Sequence, residues 1–292
     1  MVRAALTTIV GAALAASVAG GATREPTVLP PGFTVFGVAP RGGSLWQGEI
    51  PNPFVPRAYR ATVIYVPPEA TPTQRYPVLY VLHGFRGSPY SIALGLHFAA
   101  AADAAIASHD VPPFIGVFPP AGRTPRYDGE WAGPWEKYVV QAVVPWVDTH
   151  LPSIPSRRAR TLAGLSAGGY GAVDIGLRHP TVFGTLESWS GYFRAPRDGP
   201  LRFASETELE AHDPTLLAWS KAPALRSLAT RFFLSCGTTA DRDDAALAES
   251  FAGVLTSLRL PHELWLAPGG HDGKFWRRQL PAALRYAFPR EL

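Results

Sequence analysis

From residue 60 onward, short apolar runs alternate with longer stretches whose apolar positions recur every three or four residues. The runs at 60–66, 78–82, 114–118, 159–163, 183–189, 230–236 and 263–267 predict strands, being short, β-branched or aromatic and bounded by turn residues. The stretches at 90–108, 135–149, 167–177, 244–258 and 274–287 predict helices. In the second of these Tyr138, Val139, Ala142, Val143 and Trp146 share a face, and Pro145 predicts a bend. Residues 78–82 are apolar without a break, the mark of a central strand covered on both faces. This order predicts an α/β fold: one doubly wound, mostly parallel sheet with helices on both faces. Residues 33–39 predict an edge strand. Residues 193–228 hold no strand pattern and exceed an ordinary connection, which makes them a candidate lid insertion.

The predicted strand at 159–163 runs into Gly164-Leu165-Ser166-Ala167-Gly168 and then a helix. In a strand–turn–helix context this G-x-S-x-G pattern places a serine above the sheet, because the glycines permit a sharp bend and close strand–helix approach. The Ala167 N–H then lies at a helix N-terminus, where it can face a developing negative charge. A serine hydroxyl needs a base, and the base an orienting acid. In a doubly wound sheet both come from loops at the carboxyl ends of later strands. After 263–267 comes Pro268-Gly269-Gly270-His271-Asp272, which makes His271 the candidate base. After 230–236 comes Gly237-Thr238-Thr239-Ala240-Asp241, which makes Asp241 the candidate acid. Asp243, Asp244 and Glu249 are alternatives, the first two suited also to a helix N-terminus. His83-Gly84-Phe85-Arg86 directly follows the central strand, so Phe85 and Ala167 N–H groups are the candidate oxyanion donors, and Gly84 lets the backbone approach a substrate. Trp131 and Tyr192 are candidate substrate contacts. Trp131, with Tyr127 and Trp135, either stacks on a substrate or packs beneath the loop. Asp128 and Glu130 could in principle form a glycosidase pair, but carboxylates so close in sequence need not converge on one bond.

Composition narrows the rest. The 292 residues are 47% hydrophobic and 17% charged, enough for one large α/β domain. The net charge of +4 is spread along the chain with no dense basic run, which argues against a nucleic-acid partner. One cysteine, Cys236, excludes an intramolecular disulfide and reads as a buried strand residue. Neither C-x-x-C nor H-E-x-x-H occurs, so no metal or organic cofactor is expected. Arg3 precedes a run of small and apolar residues through Ala22. Residues 1–22 therefore predict a cleavable export signal or, if retained, a membrane anchor, with a secreted or cell-envelope location. Residues 23–44 are expected to form an N-terminal linker and edge segment, and 45–292 a single α/β domain that includes the candidate lid at 193–228.

Taken together, the runs around Val78-Leu79-Tyr80-Val81-Leu82-His83-Gly84, Gly164-Leu165-Ser166-Ala167-Gly168-Gly169, Arg178-His179-Pro180, Ser188-Trp189-Ser190-Gly191 and Gly269-Gly270-His271-Asp272 resemble an esterase family of the α/β-hydrolase superfamily. Its members include esterase D (S-formylglutathione hydrolase), feruloyl and enterochelin esterases, and secreted mycolyltransferases. The resemblance spans roughly residues 45 to 287. It implies an α/β-hydrolase fold and a serine esterase acting on a small-molecule carboxylic ester through an acyl-enzyme, with no cofactor. An acyltransferase to a sugar or lipid hydroxyl is the first alternative. The mycolyltransferase likeness would then favour Glu249, on the following helix, as the acid. A non-catalytic binding protein on the same fold is the second. Two departures stand out: an extra residue in the acid loop, and Lys274 where an aromatic often follows His-Asp.

Overall fold

A computed structural model describes residues 28–54, 61–122, 131–239 and 241–288. The expected export segment, and the loop carrying Tyr127, Asp128 and Glu130, lie outside the described residues. Among the described residues nine strands form one sheet: β1 (Phe33–Val38), β2 (Ser44–Glu49), β3 (Ala61–Val66), β4 (Val78–Leu82), β5 (Ile115–Phe118), β6 (Arg160–Leu165), β7 (Thr185–Trp189), β8 (Arg231–Gly237) and β9 (His262–Ala267). Their spatial order is β1-β2-β3-β5-β4-β6-β7-β8-β9. The first three run antiparallel to their neighbours, and the six from β5 to β9 run parallel.

The uninterrupted apolar run of β4 finds two cores, as a strand covered on both faces must. Val78, Tyr80 and Leu82 point into one, and Leu79 and Val81 into the other. On the first face lie α3 (Pro134–Tyr138), α4 (Val144–His150), α5 (Ala167–Arg178), α7 (Pro214–Ser227) and α8 (Arg242–Ser257). On the second lie α1 (Pro89–Ala93), α2 (Phe98–Ala107) and α9 (Gly273–Ala287). Between α5 and α7 sits the short α6 (Glu206–Glu210). Among the described residues no helix is long and apolar enough to cross a membrane.

Three local features differ from the sequence reading. Strand β2 was not anticipated, because Ser44-Leu45-Trp46-Gln47-Gly48-Glu49 lacks a clean alternation; pairing on both sides holds it in the sheet. The single helix expected over 90–108 is two, broken where His97 adopts a left-handed backbone (φ 51°). Between α3 and α4 a π-helical turn, Val139–Val143, sits just ahead of Pro145, whose missing N–H interrupts the bonding ladder.

The strand-free stretch 193–228 lies against α5. Tyr170 Oη donates to the His212 carbonyl at 2.8 Å, and His212 Nδ1 lies 2.8 Å from Asp174 Oδ2. Arg178 Nη1 donates to the Ala211 carbonyl. Asp174 is fully buried, and burial pushes its carboxyl up to about 6.

Candidate active site

Strands β4, β6, β7, β8 and β9 are mutually parallel, so the loops after them open at one end of the sheet. Ser166 occupies the turn from β6 into α5 with φ 56° and ψ −122°. That backbone is unfavourable for a side-chain-bearing residue, so its surroundings must hold it. They do so by close approach. A Cβ on Gly164 would fall 2.1 Å from the Gly168 carbonyl oxygen, and one on Gly168 would fall 2.2 Å from that of Leu82. Ser166 N donates to the Trp189 carbonyl at 2.8 Å, and its own carbonyl accepts from Gly169 and Tyr170 N–H groups. Ala167 is the first residue of α5, with its N–H at the positive end of the helix dipole.

The loop after β4 comes close to the serine. A Cβ on Gly84 would lie 3.1 Å from Ser166 Cβ and 2.9 Å from Leu165 Cδ1. His83 shapes this loop from within. Its Nε2 accepts from the Ala121 N–H at 3.0 Å, so the ring proton sits on Nδ1 and donates to the Gly84 carbonyl at 2.8 Å. Gly87 N closes the turn on the same carbonyl at 2.9 Å. The side chain of Phe85 points outward and is 46% exposed. A structural role for His83 was not read from the sequence, where only its place beside Gly84 stood out.

The acid and base loops are joined through their main chains. Thr238 N donates to the Ala267 carbonyl, and Thr239 N to that of Gly269, both at 3.0 Å; Gly269 N reaches Thr239 Oγ1 at 3.3 Å. This brings His271 to Asp241: Nδ1 lies 3.0 Å from Oδ2 and 3.2 Å from Oδ1. Asp241 stands at the start of α8, yet its carboxylate makes no capping bond and is free to face the imidazole. Its side chain is buried, whereas that of His271 is 35% exposed. Asp244 also reaches Nδ1, at 3.3 Å. Asp243 and Glu249 point to solvent and have no bond to His271. With Nδ1 facing carboxylates, Nε2 is the nitrogen left for a serine hydroxyl or a leaving group. No hydrogen bond joins Ser166 Oγ to His271 among the described residues, and such bonds are commonly loose before substrate enters.

Asp272, next to His271, caps α9 by accepting from Phe275 N at 2.9 Å. One turn into α9, Trp276 packs its ring against His271 (centroids 5.1 Å apart, 78° between planes) and donates Nε1 to Ser190 Oγ at 3.2 Å. Trp276 was not singled out from the sequence, and Ser190 only as part of the Ser188–Gly191 run, because nothing there shows that the loop after β7 meets α9. An aromatic ring thus packs on His271 from α9, although Lys274 departs from the pattern the resemblance implies. Burial, then the nearby Asp241 carboxylate, push the Cys236 thiol up to about 12; Sγ lies 3.3 Å from Asp241 Oδ2.

The two candidate substrate contacts fare differently. Trp131 is fully buried, donates Nε1 to the His83 carbonyl at 2.9 Å and stands over Gly171. It supports the loop carrying Gly84 and Phe85 from beneath and has no exposed face for a substrate. Tyr192 is half-buried and stacks on Tyr170 with centroids 5.1 Å apart. Asp241, Asp244 and His271 are also the only three His, Cys, Asp or Glu side chains among the described residues with ligand atoms within 4.8 Å of one another. The approach of Nδ1 to both carboxylates accounts for that clustering without an ion.

Comparison with known proteins agrees in fold and family. Residues 58–287 match the model of the family described as Putative esterase. Esterase Rv1288 of Mycobacterium tuberculosis is 27% identical over 238 residues, covering 69% of this chain and 50% of its own length. The chain thus spans about half the length of the curated relatives it first matches. Among solved structures, a ferulic acid esterase superposes with a TM-score of 0.73 at 22% identity, over 84% of this chain and 97% of the other. The fluorophosphonate-binding serine hydrolase FphF of Staphylococcus aureus superposes with a TM-score of 0.68 at 18% identity, over 84% and 98%. These are α/β-hydrolase folds, as the strand order implies.

Proposed function

The chain belongs to the Putative esterase family, and from that premise we propose that it hydrolyses carboxylic esters through an acyl-enzyme formed on Ser166. The observation that carries this reading is a carboxylate-bound His271 at the same end of the sheet as the strained Ser166 turn. Ser166 Oγ attacks the ester carbonyl while His271 Nε2 takes its proton. The Phe85 and Ala167 N–H groups stabilise the oxyanion that develops. His271, now an imidazolium balanced by carboxylate at Nδ1, returns the proton to the departing alcohol. Water enters by the same route in reverse and releases the acid.

The rim supports a carbon-rich substrate. Phe85 is 46% and Leu94 54% exposed, and Trp276 and Tyr192 are half-buried. Arg277 Nη1 donates to the Gly95 carbonyl at 2.8 Å, which sets the Leu94 turn beside the start of α9 and hence near His271. The apolar stretch within residues 1–22 supports export of the enzyme, which mass spectrometry of the N-terminus of secreted protein would test. The deciding experiment for the chemistry is a hydrolysis screen over short acyl, long acyl, feruloyl and thioester substrates. Wild type should turn over at least one class, and Ser166→Ala should lose about a thousandfold or more. An alanine variant as active as wild type would remove Ser166 from the mechanism.

A further inference from the structure

We infer that Asp244 is a second positioning acid for His271, so that two carboxylates, not one, hold the imidazole for the Ser166 chemistry. The inference rests on the esterase reading for its consequence and on the geometry of α8 for its substance. Nδ1 lies 3.0 Å from Asp241 Oδ2 and 3.3 Å from Asp244 Oδ2. The two aspartates are three residues apart, so the first turn of α8 places both on one face. Nδ1–H bonds to Asp241, and Asp244 Oδ2 stands within ion-pair reach of the same nitrogen, placed to take over that proton on a small rotation of the ring. Both carboxylates thus favour the tautomer that leaves Nε2 free to accept a proton.

Their surroundings divide the work. Asp241 is buried and also faces the Cys236 thiol, at 3.3 Å from Oδ2. Asp244 is 27% exposed and reaches water. Two carboxylates this close do not both ionise freely. Burial, with the Asp244 hydrogen bond behind it, pushes Asp241 upward. Against the opposing effect of burial, hydrogen bonds from His271 and Asp241 hold Asp244 below the usual carboxylate range. Asp244 thus brings a second, better solvated carboxylate to Nδ1, while Asp241 fixes the ring from the buried side. The upward shift of His271 has the Asp244 hydrogen bond as its foremost cause, opposed by burial and reinforced by Asp241. The groups facing His271 are these two aspartates of α8, Cys236 of β8 behind Asp241, and the non-titrating Trp276 of α9.

The test compares wild type, Asp241→Asn, Asp244→Asn, the double variant and Ser166→Ala on p-nitrophenyl acetate from pH 5 to 9. Each single variant is expected to keep at least tenfold more kcat than the double, which should fall about ten-thousandfold, the loss seen when a triad imidazole has no carboxylate. Asp244→Asn is also expected to move the acid limb of kcat/KM to lower pH, and Asp244→Glu to restore it. A double variant no worse than Asp241→Asn alone, or an unmoved acid limb in Asp244→Asn, overturns the inference. Should Asp241→Asn not fold, NMR titration of His271 in wild type and Asp244→Asn decides. A lowered midpoint is expected, and an unchanged one overturns the inference. That titration needs no turnover, so it separates failure of the second-acid role from failure of the esterase reading. The latter would appear as inert wild type, or as Ser166→Ala retaining activity.

Discussion

Gly84 is where the loop after β4 closes on Ser166. A methyl group there would press on Leu165 Cδ1 and Ser166 Cβ at 2.9 and 3.1 Å, so the loop rather than the strand must yield. Gly84→Ala is expected to lower kcat about a hundredfold with little change in melting temperature, because a displacement near 1 Å suffices to misplace an oxyanion donor. Steady-state kinetics beside a thermal melt would check it, and an unchanged kcat would count against Phe85 as donor. His83 acts on the same loop from below. His83→Ala removes the bond to Gly84 and orphans the buried Ala121 N–H, so it should lower both kcat and stability, the latter by about 2 kcal/mol. At the neighbouring acid–base cluster, dialysis against a chelator should leave hydrolysis unchanged. A loss restored by a divalent ion would mean that Asp241, Asp244 and His271 serve as metal ligands.

Helix α5 carries two loads: its first residue follows Ser166 in the candidate site, and its middle anchors the 193–228 stretch through Asp174 and His212. Burial raises the Asp174 carboxyl to about 6. A raised value in the folded state means that the neutral acid is favoured there. Its contribution to stability is complete below the ordinary value near 3.8 and is lost as pH rises through about 6. The groups that face it are His212, Arg178 and Glu136. Asp174→Asn abolishes the titration, so the variant's melting temperature relative to wild type should climb from pH 4 to pH 7. A pH-independent difference would contradict this account. The same scale shows what could be read from the chain beforehand. Strand β4 was legible because burial on both faces demands an unbroken apolar run, and the Ser166 turn because its glycines are needed for close approach. Strand β2 was not, since its stability comes from two neighbours in the sheet and not from its own pattern. The break at His97 was hidden inside an alanine-rich stretch. The three-residue spacing of Asp241 and Asp244 was visible, yet only the rotation of α8 relative to β9 turns it into a shared contact. Trp131 was ambiguous for a related reason, as aromatic rings beside a site look alike from sequence whether they line it or support it.

Across the whole molecule, the Arg157 anchor and the candidate site sit at opposite ends of the sheet. At the amino ends Arg157 donates to the carbonyls of Pro180, Phe183 and Leu228 and to Thr230 Oγ1, tying together the chain that leads into β6, β7 and β8. Arg157→Ala is expected to cost about 3 kcal/mol, as loss of bonds from a charged donor does. That corresponds to a melting temperature lower by about 10 °C. The kcat at 25 °C should be unchanged; calorimetry and kinetics on the same preparation would test this, and a fall in kcat without one in stability would refute the division.

The main-chain seam between residues 238–239 and 267–269 carries a consequence for which positions tolerate exchange. Amide and carbonyl groups are common to nearly every amino acid, so what aligns the two loops survives exchange of the residues they display. Exposed Thr238 can therefore be exchanged without disturbing the frame, whereas Gly237 and Gly269 cannot, since a Cβ would fall 2.5 Å from the Gly269 carbonyl oxygen and 2.6 Å from Phe275 Cδ2, respectively.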